Sequence, residues 1–344
     1  MSQPDRPIIA ISMGDPAGIG PEIIAAALAR PEVQALCRPL VVGDARVMSR
    51  AASIARVGLR VQPVGDFAGA RFSPECMNVL DLNNANPAEF ALGRVSAIAG
   101  HAAFEAVRVI IELAMTGAVA ATVTAPIHKE ALALAGHHFP GHTEIFAHFT
   151  GASDYTMMLV AGLVRVVHVS THVSLRQACD AVTRKRVLEV IRLGRNACVR
   201  LGIEHPRVGV AGLNPHASDG GLFGAEERDQ IIPACNAARA EGIAVEGPQP
   251  ADTFFPKVVA GAYDVAIAMY HDQGHIPAKL QGFSYDAASG RWTRVHGINV
   301  SLGLPIVRAS VDHGTAFDQA GTGAASDESL VDAITYAAKM APPT

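Results

Sequence analysis

Short apolar runs alternate with amphipathic segments along most of this chain. The run RPIIAISM at residues 6–13 leads into the glycine loop GDPAGIG and then into PEIIAAALAR, an order that predicts a strand, a loop and a helix. Proline at a first helical turn fits, because its missing N–H would be unpaired there in any case. The pattern recurs at residues 39–44, 118–126, 207–215 and 263–270. It predicts an α/β protein with helices on both faces of a sheet.

The middle of the chain follows a different pattern. Residues 155–172, YTMMLVAGLVRVVHVSTH, contain two valine-rich apolar runs around Ala161 and Gly162, which predicts a β-hairpin. A long helix is predicted over residues 183–202. Residues 281–297, QGFSYDAASGRWTRVHG, predict a second, exposed hairpin with ASG at its tip.

Composition narrows the class of protein. A length of 344 residues suits one large domain or two coupled ones, and 49% hydrophobic with 17% charged residues is typical of parallel α/β proteins. A net charge of −4 without a concentrated basic face argues against a nucleic-acid partner. Five scattered cysteines without a CxxC motif fit a reducing compartment. We therefore expect a cytoplasmic protein with no signal peptide and no membrane span.

Histidines follow three of the apolar runs. They are His172 in HVSTH, His216 in GLNPH and His271 in AMYH. Neutral imidazole is a common ligand of divalent metals, and a three-histidine site with open positions is a catalytic arrangement. Each histidine alone is more readily explained as a hydrogen-bonded residue at a strand end, but three together favour a metal site. His275 follows His271 by four residues, yet Asp-Gln-Gly between them argues against a helical pair, and we assign His275 no direct role.

Several further segments offer donors for an anion. FPGHTE presents His142 and Thr143, which suit phosphate or carboxylate oxygens but would also fit a helix-capping box. Lys279, Asn299 and Arg308 add cationic and amide donors that jointly suit an anionic substrate.

Two glycine-rich loops leave alternatives open. GDPAGIGPE at 14–22 lacks the GxGxxG spacing, so it is either an anion-binding helix N-terminus or a tight turn. SVDHGTAFDQAGTG at 310–323 is either a nucleotide loop or an ordinary connection.

Nine motifs in order resemble the 4-hydroxythreonine-4-phosphate dehydrogenase family, from about residue 8 to about residue 335. They are MGDPAGIGPE, TAPIHKEAL, GHTE, STH, GLNPHA, PADT, MYHDQGHIP, NVSLGLPIVR and SVDHGTAFDQAGTG. The resemblance implies an isocitrate/isopropylmalate dehydrogenase-like fold with two α/β/α domains around a cleft. Residues 1–126 plus 275–344 would carry the nucleotide loop, and residues 127–274 would carry the metal ligands and the dimer contacts.

The resemblance also assigns roles to residues. The metal ligands would be His172, His216 and His271, and the substrate would be bound by His142, Thr143, Lys279, Asn299 and Arg308. Asp252 and Asp272 would lie beside the substrate, where either of them or a bound water could accept the proton. The cofactor residues would be Gly14, Asp15, His313, Gly314, Thr315, Asp318 and Gly321. The implied cofactors are NAD or NADP and a divalent metal, zinc before magnesium or cobalt, in a homodimer with shared active sites.

The implied reaction is oxidation of the C3 hydroxyl of 4-phosphooxy-threonine or a close phosphorylated hydroxy acid, followed by decarboxylation of the β-keto acid. Two features depart from the main family: the 281–297 insertion between Lys279 and Asn299, and the motifs HVSTH and YHDQGHIPAKL, which resemble the branch acting on 4-phosphothreonate or 4-phosphoerythronate. The alternatives are a terephthalate cis-dihydrodiol dehydrogenase of the same family, a metal-dependent phosphate-ester hydrolase, and a non-enzymatic sugar-acid phosphate sensor.

Overall fold

The computed structural model describes residues 6–66, 69–288 and 290–342. Its chain divides into two compact units: unit 1 is Met1–Ser153 with Leu304–Thr344, and unit 2 is Asp154–Gly303. The strands are β1 (Ile8–Ser12), β2 (Arg38–Gly43), β3 (Arg60–Val64), β4 (Cys76–Asp81), β5 (Ala121–Thr124), β6 (Thr156–Ala161), β7 (Val164–His168), β8 (Val208–Ala211), β9 (Val245–Gln249), β10 (Val265–Ala268), β11 (Phe283–Asp286), β12 (Arg291–Val295), β13 (Ile298–Leu302) and β14 (Arg308–Val311).

Helices connect most successive strands from β1 to β11, in the alternating order that the sequence predicts. They are α1 (Gly20–Leu28), α2 (Pro31–Leu36), α3 (Ala45–Ile54), α4 (Ala97–Met115), α5 (Lys129–Leu134), α6 (His142–Thr150), α7 (Leu175–Ala181), α8 (Arg184–Arg200), α9 (Ile232–Ala240), α10 (Ala251–Val259), α11 (His271–Gly282) and α12 (Glu328–Met340). In the part of the chain that the structure describes, none of them is long and apolar enough to cross a bilayer.

Unit 1 contains a parallel sheet. Its strands follow the order β3, β4, β2, β1, β5, β14, and each recorded neighbouring pair is parallel. All residues of β5 and β14 are buried, as expected for strands covered by helices. Helix α4 packs on β1 and β2, and α12 packs on β5 and β14.

Unit 2 combines an antiparallel and a parallel part. Its strands follow the order β13, β6, β7, β10, β8, β9. Strand β6 is antiparallel to β13 and β7, and the β6–β7 pair confirms the hairpin predicted over 155–172. Strands β7, β10, β8 and β9 are parallel. The predicted α/β class and the predicted long helix, α8, are confirmed as well.

The second predicted hairpin is also present. Strands β11 and β12 pair antiparallel in a sheet of their own, with Phe283 opposite Val295. Trp292 packs edge-on against Tyr285 while it stays 61% exposed. Ser289, in the expected tip, lies outside the described residues.

The two units divide at other positions than the boundaries placed at 126 and 274 from the sequence. Helices α5 and α6 both pack on α4 and therefore belong to unit 1. The approach of α5 is close, since a Cβ on Gly100 would lie 2.0 Å from the carbonyl oxygen of Ala131. Helix α11 packs on β6 and β7, and β13 pairs with β6, so both belong to unit 2.

The expectation that residues 271–275 are not helical is wrong, because α11 begins at His271. Tertiary contacts outweigh the low helix propensity of this stretch. The Gln273 side chain accepts a hydrogen bond from Met269 N (2.7 Å) and donates one to Gly212 O (2.7 Å). A Cβ on Gly274 would lie 2.4 Å from His168 Nε2, so only glycine lets the helix pack this closely on β7.

A buried carboxylate holds the loop between β1 and α1. Asp15 is fully buried, and its Oδ1 accepts a hydrogen bond from Ala17 N (2.9 Å). Its own N–H donates to Pro126 O (2.8 Å), which ties the loop to the end of β5. Asp15 Oδ2 has no hydrogen-bond partner among the described residues. Burial raises the pKa of Asp15 from 3.8 to about 6, although the bond from Ala17 and the nearby His128 oppose the rise.

We expect Asp15→Asn to stabilise the protein above pH 6 and to flatten its pH dependence below that. Between 3.8 and about 6 the unfolded chain releases this proton while the folded chain keeps it, so stability falls as pH rises through that window. At about 1.4 kcal/mol per pKa unit the effect is roughly 3 kcal/mol at most, less the cost of an unpartnered amide. Urea unfolding of both proteins at about pH 4 and about pH 7.5 measures it. Identical pH dependence in the two proteins would contradict the burial argument.

Candidate active site

Three loops of unit 2 that carry histidines leave the same edge of the sheet. Strands β7, β10 and β8 are neighbours and parallel, so their carboxyl ends coincide. His172 follows β7, His271 follows β10 and His216 follows β8. The carboxyl edge of a parallel sheet is where α/β proteins bind their ligands.

His172 and His271 come close to one another. Their ring centroids are 6.0 Å apart. Two imidazoles bound to one zinc ion at about 2.1 Å would have ring centres roughly 5 Å apart, so the observed spacing is about 1 Å wider than shared ligation requires. His271 Nδ1 is 2.6 Å from Asp272 Oδ1. A proton on Nδ1 donated to this carboxylate leaves Nε2 as the free ligand atom.

His216 lies in an irregular segment, Pro215–Gly221, with unusual backbone angles. His216, Ala217, Ser218 and Asp219 all have positive φ (54°, 52°, 72° and 45°). A non-glycine residue in this left-handed conformation costs roughly 1–2 kcal/mol, so contacts elsewhere must offset it. The His216 ring lies 6.3 Å from that of Phe223 and is exposed. Among the described residues no group of three potential ligands is close enough to hold a metal as the side chains stand.

Two further histidines lie behind His271. His168, the last residue of β7, is fully buried, and its Nε2 is 3.1 Å from His275 Nδ1. The His275 ring stacks on that of His271, with centroids 3.7 Å apart. Burial and then the neighbouring imidazoles hold the pKa of His168 well below its usual value and lower that of His275 to about 4. Both rings are therefore neutral, and sequence reasoning missed their contact because it treated 271–275 as a loop.

The remaining candidates of unit 2 are spread over other elements. Lys279 lies in α11, with Nζ 5.1 Å from the centroid of Phe283. Asn299 lies in β13, where its amide contacts Met157 Sδ at 3.3 Å. Asp252 is exposed in the first turn of α10, and its Oδ1 accepts a bond from Thr253 N (2.9 Å).

Unit 1 brings two of the predicted anion-binding residues together. Arg308 is buried at the start of β14, where Nη2 donates to Thr124 Oγ1 (2.8 Å) and Cζ lies 5.5 Å from the ring centroid of Phe146. His142 begins α6, and its Nε2 is buried without a hydrogen-bond partner in the described part of the chain. Gly141 caps this helix with no side-chain bond, so Thr143 is not part of a capping box.

The charges of this pair differ. Burial, and then the charge of Arg308, hold the pKa of His142 well below its usual value, although a bond with the Ala125 backbone opposes this. Burial lowers the pKa of Arg308 to about 9, with the Glu144 carboxylate opposing. At neutral pH this part of unit 1 therefore presents a guanidinium cation beside a neutral imidazole, at a helix N-terminus.

The two glycine-rich loops of unit 1 contact one another. Ile19 N donates to Thr315 O (3.0 Å), and a Cβ on Gly18 would lie 2.9 Å from Thr315 Cβ. A Cβ on Gly314 would meet nothing within 4 Å, and Asp318 is exposed. Of the predicted cofactor residues, Gly314 and Asp318 therefore face open space.

The other predicted cofactor residues lie deeper or shape the loops. Asp15 is bonded within its own loop, and Gly14 has a φ of +73° at the turn. Burial lowers the pKa of His313, whose Nδ1 is 3.0 Å from Gly314 O.

Glu22 ties the late loop to α1 and was missed by sequence reasoning. It is buried, and its two carboxylate oxygens accept bonds from Gly321 N (2.5 Å) and Gly323 N (3.0 Å). The sequence signal for this role was a glutamate directly after Pro21 in the first turn of α1, where the helix dipole stabilises a negative charge.

Comparison with known proteins identifies the family. The model of the pyridoxal phosphate biosynthetic protein PdxA family matches residues 35–337. The D-threonate 4-phosphate dehydrogenase of Cupriavidus necator is 44% identical over 336 residues, covering 97% of each chain. The 4-hydroxythreonine-4-phosphate dehydrogenase of Trichlorobacter lovleyi is 44% identical over 340 residues, covering 98% of each chain.

A solved structure agrees with these relatives over nearly the whole fold. The 4-hydroxythreonine-4-phosphate dehydrogenase of Klebsiella pneumoniae superposes with a TM-score of 0.83 and 44% identity, covering 98% of this chain and 100% of that one. With matches of this length and identity in both sequence and structure, the chain belongs to the PdxA family.

Proposed function

We propose that this protein is an NAD(P)- and metal-dependent dehydrogenase that oxidises the C3 hydroxyl of a four-carbon phosphorylated hydroxy acid, with decarboxylation of the β-keto product. D-threonate 4-phosphate is the first candidate and 4-hydroxythreonine 4-phosphate the second, because relatives named for the former are 44% and 47% identical to this chain and a relative named for the latter is 44% identical. The proposal is supported by the positions of His172, His216 and His271, each of which follows one of three neighbouring parallel strands, since a metal site at that edge would serve an alcohol oxidation.

The donor set of unit 2 suits zinc or cobalt. Imidazole nitrogen favours zinc and its neighbours in the transition series, whereas magnesium favours oxygen ligands. The spacing of His172 and His271 and the orientation of His271 by Asp272 fit such an ion. A bound divalent cation would lower the pKa of the substrate hydroxyl and stabilise negative charge that develops on its oxygen.

The side chains around this edge divide the remaining work. Asp272 orients His271, while Asp252 is exposed and free to accept the hydroxyl proton directly or through water. The amide of Asn299 and the ammonium of Lys279 supply hydrogen bonds to the substrate's polar groups.

Unit 1 supplies the groups for the phosphate. The Arg308 guanidinium is a cation that can donate to phosphate oxygens, and the N–H groups in the first turn of α6 add a positive dipole end. Neutral His142 has a single N–H, and its bond with the Ala125 backbone uses that N–H. Its Nε2, buried without a partner among the described residues, can therefore accept a hydrogen bond from a substrate hydroxyl or a protonated phosphate oxygen.

The contacting glycine loops of unit 1 are proposed to hold the nicotinamide dinucleotide, which accepts the hydride. Open space at Gly314 allows close approach of a ligand to the backbone. The exposed carboxylate of Asp318 can accept hydrogen bonds from ribose hydroxyls.

The finer fold and the assembly are part of the same proposal. An isocitrate/isopropylmalate dehydrogenase-like fold is supported by two units that each contain parallel strands and covering helices.

A homodimer is supported by large apolar side chains that stay exposed on α11 and the β11–β12 hairpin. They are Ile276 (57%), Leu280 (74%), Tyr285 (56%) and Trp292 (61%).

A spectrophotometric screen tests the reaction. We expect absorbance at 340 nm to rise when the zinc- or cobalt-loaded protein meets D-threonate 4-phosphate with NAD or NADP, with 4-hydroxythreonine 4-phosphate and erythronate 4-phosphate tested alongside. Turnover of terephthalate dihydrodiol alone would move the protein to that alternative. Release of inorganic phosphate without a change at 340 nm would establish the hydrolase instead.

His216→Ala tests the metal site. We expect it to abolish turnover and to weaken zinc binding on the order of 100-fold or more, since even residues that only orient ligands contribute 10- to 100-fold. His205→Ala is the matched control, because His205 is an exposed histidine of the same unit outside the candidate site. An active His216→Ala protein that retains a full complement of metal would refute the role.

Arg308→Lys tests the phosphate site. We expect KM for the phosphorylated substrate and the inhibition constant of inorganic phosphate to rise together by roughly 10- to 100-fold, because a hydrogen bond to a charged group contributes about 1.5–3 kcal/mol. Arg38→Lys is the control, since that guanidinium also lies over a phenylalanine ring of unit 1, Phe72 at 5.6 Å. Equal phosphate inhibition of Arg308→Lys and the unmodified enzyme would remove Arg308 from the site.

A further inference from the structure

The segment that carries His216 has an unfavourable backbone conformation. Four successive residues without glycine's freedom, His216 to Asp219, adopt the left-handed conformation, and Gly220 continues it. L-residues adopt this conformation singly, in turns, and a run of four requires support from outside the segment. The position of the His216 imidazole therefore depends on whatever holds this backbone.

Glu227 supplies that support. Its side chain is buried, and one carboxylate oxygen, Oε1, accepts hydrogen bonds from both Leu213 N (2.7 Å) and Asn214 N (2.7 Å). The other oxygen, Oε2, accepts a bond from Asn214 Nδ2 (2.8 Å). These bonds fix the two residues that lead into Pro215 and the left-handed run.

The end of β8 and the left-handed run pack closely around the Glu227 carboxylate. A Cβ on Gly212 would lie 3.0 Å from Ala217 Cα and 3.2 Å from Glu227 Oε1, so the strand end, the left-handed run and the carboxylate are in close contact. Ser218 Oγ also donates to Gly224 O, which closes the segment on itself. Glu227 begins a π-helical turn, Glu227–Ile231, a rare geometry that is frequent at functional sites.

We propose that Glu227 is the positioning residue of His216: its carboxylate holds the left-handed segment, and with it the backbone from which this imidazole would reach the metal. The proposal rests on the metal site put forward above. It extends that site to a residue outside the proposed ligand set, eleven positions further along the chain than His216.

Metal affinity and the cobalt spectrum test this role. In Glu227→Gln the carboxylate charge is lost, so the bonds from Leu213 N and Asn214 N become neutral and about half as strong, and the new N–H₂ group faces Asn214 Nδ2 with no acceptor. We expect zinc affinity, measured by competition with a chelator, to fall about 10- to 100-fold. We also expect the visible absorption of the cobalt(II)-loaded protein to change, because a displaced His216 alters the ligand field. A purely structural loss of stability would lower the melting temperature without changing that spectrum.

Glu226→Gln is the matched control. Glu226 is the neighbouring glutamate, and its Oε2 accepts from the same Asn214 Nδ2 (2.8 Å), but the backbone N–H groups of Leu213 and Asn214 donate to Glu227 instead. We expect this variant to keep the zinc affinity and the cobalt spectrum of the unmodified protein. Equal losses in both variants would overturn the proposal, as would wild-type affinity and spectrum in Glu227→Gln.

Two further variants keep the test decisive. If Glu227→Gln does not fold, Glu227→Asp takes its place, because aspartate keeps the charge but is one methylene too short to reach both N–H groups. If neither variant folds, the role of Glu227 is not confined to His216 and the proposal is overturned. The His216→Ala protein separates the two levels of the argument. Full metal binding by His216→Ala would contradict the metal site itself. Loss of metal in His216→Ala together with full metal binding in Glu227→Gln would contradict only the role of Glu227.

Discussion

The parallel pairing of β7, β10 and β8 is the constraint on which the candidate chemistry of unit 2 depends. Register between parallel strands aligns their carboxyl ends, so residues more than forty positions apart in the chain leave the sheet at one edge. His172, His271 and His216 therefore need no local motif to reach the same edge of the sheet. A strand that slipped by one residue would move its whole loop and its histidine with it.

Close packing then decides the local geometry at this edge. Gly274 lets α11 lie against His168, and this contact makes 271–275 a helical turn, which places His275 beneath His271. On the neighbouring strand, Gly212 admits both the left-handed run and the Glu227 carboxylate. The conformations of the histidine loops are therefore determined mainly by close contacts at glycines and by buried hydrogen bonds, and much less by the intrinsic backbone preferences of the loop residues.

Much of the fold could be predicted from the sequence, because the sequence signals for strands and helices are local. Strand and helix positions follow from runs of apolar residues and their periods, so β1, β5, β8 and β10 and the β6–β7 hairpin were found where the patterns placed them. The helical state of 271–275 could not be predicted, because it depends on contacts with β7 and with Gly212 that propensity does not include. The unit boundaries depend in the same way on which helices pack on α4 and which pack on β6 and β7.

The candidate site shows the same division between chemistry and placement. Residue type and motif order could suggest that histidines and an arginine act on a phosphorylated alcohol, but they could not tell which imidazoles are available. Burial decides that: His168 and His275 are inside unit 2, with pKa values held below the usual range, whereas His172 and His216 are exposed. A buried neutral imidazole stacked against a ligand fixes the plane of that ligand's ring, and an exposed one can turn its nitrogen toward a cation. The five histidines of this edge therefore divide into two that are buried behind His271 and three that stay at least partly exposed, and only the folded chain distinguishes them.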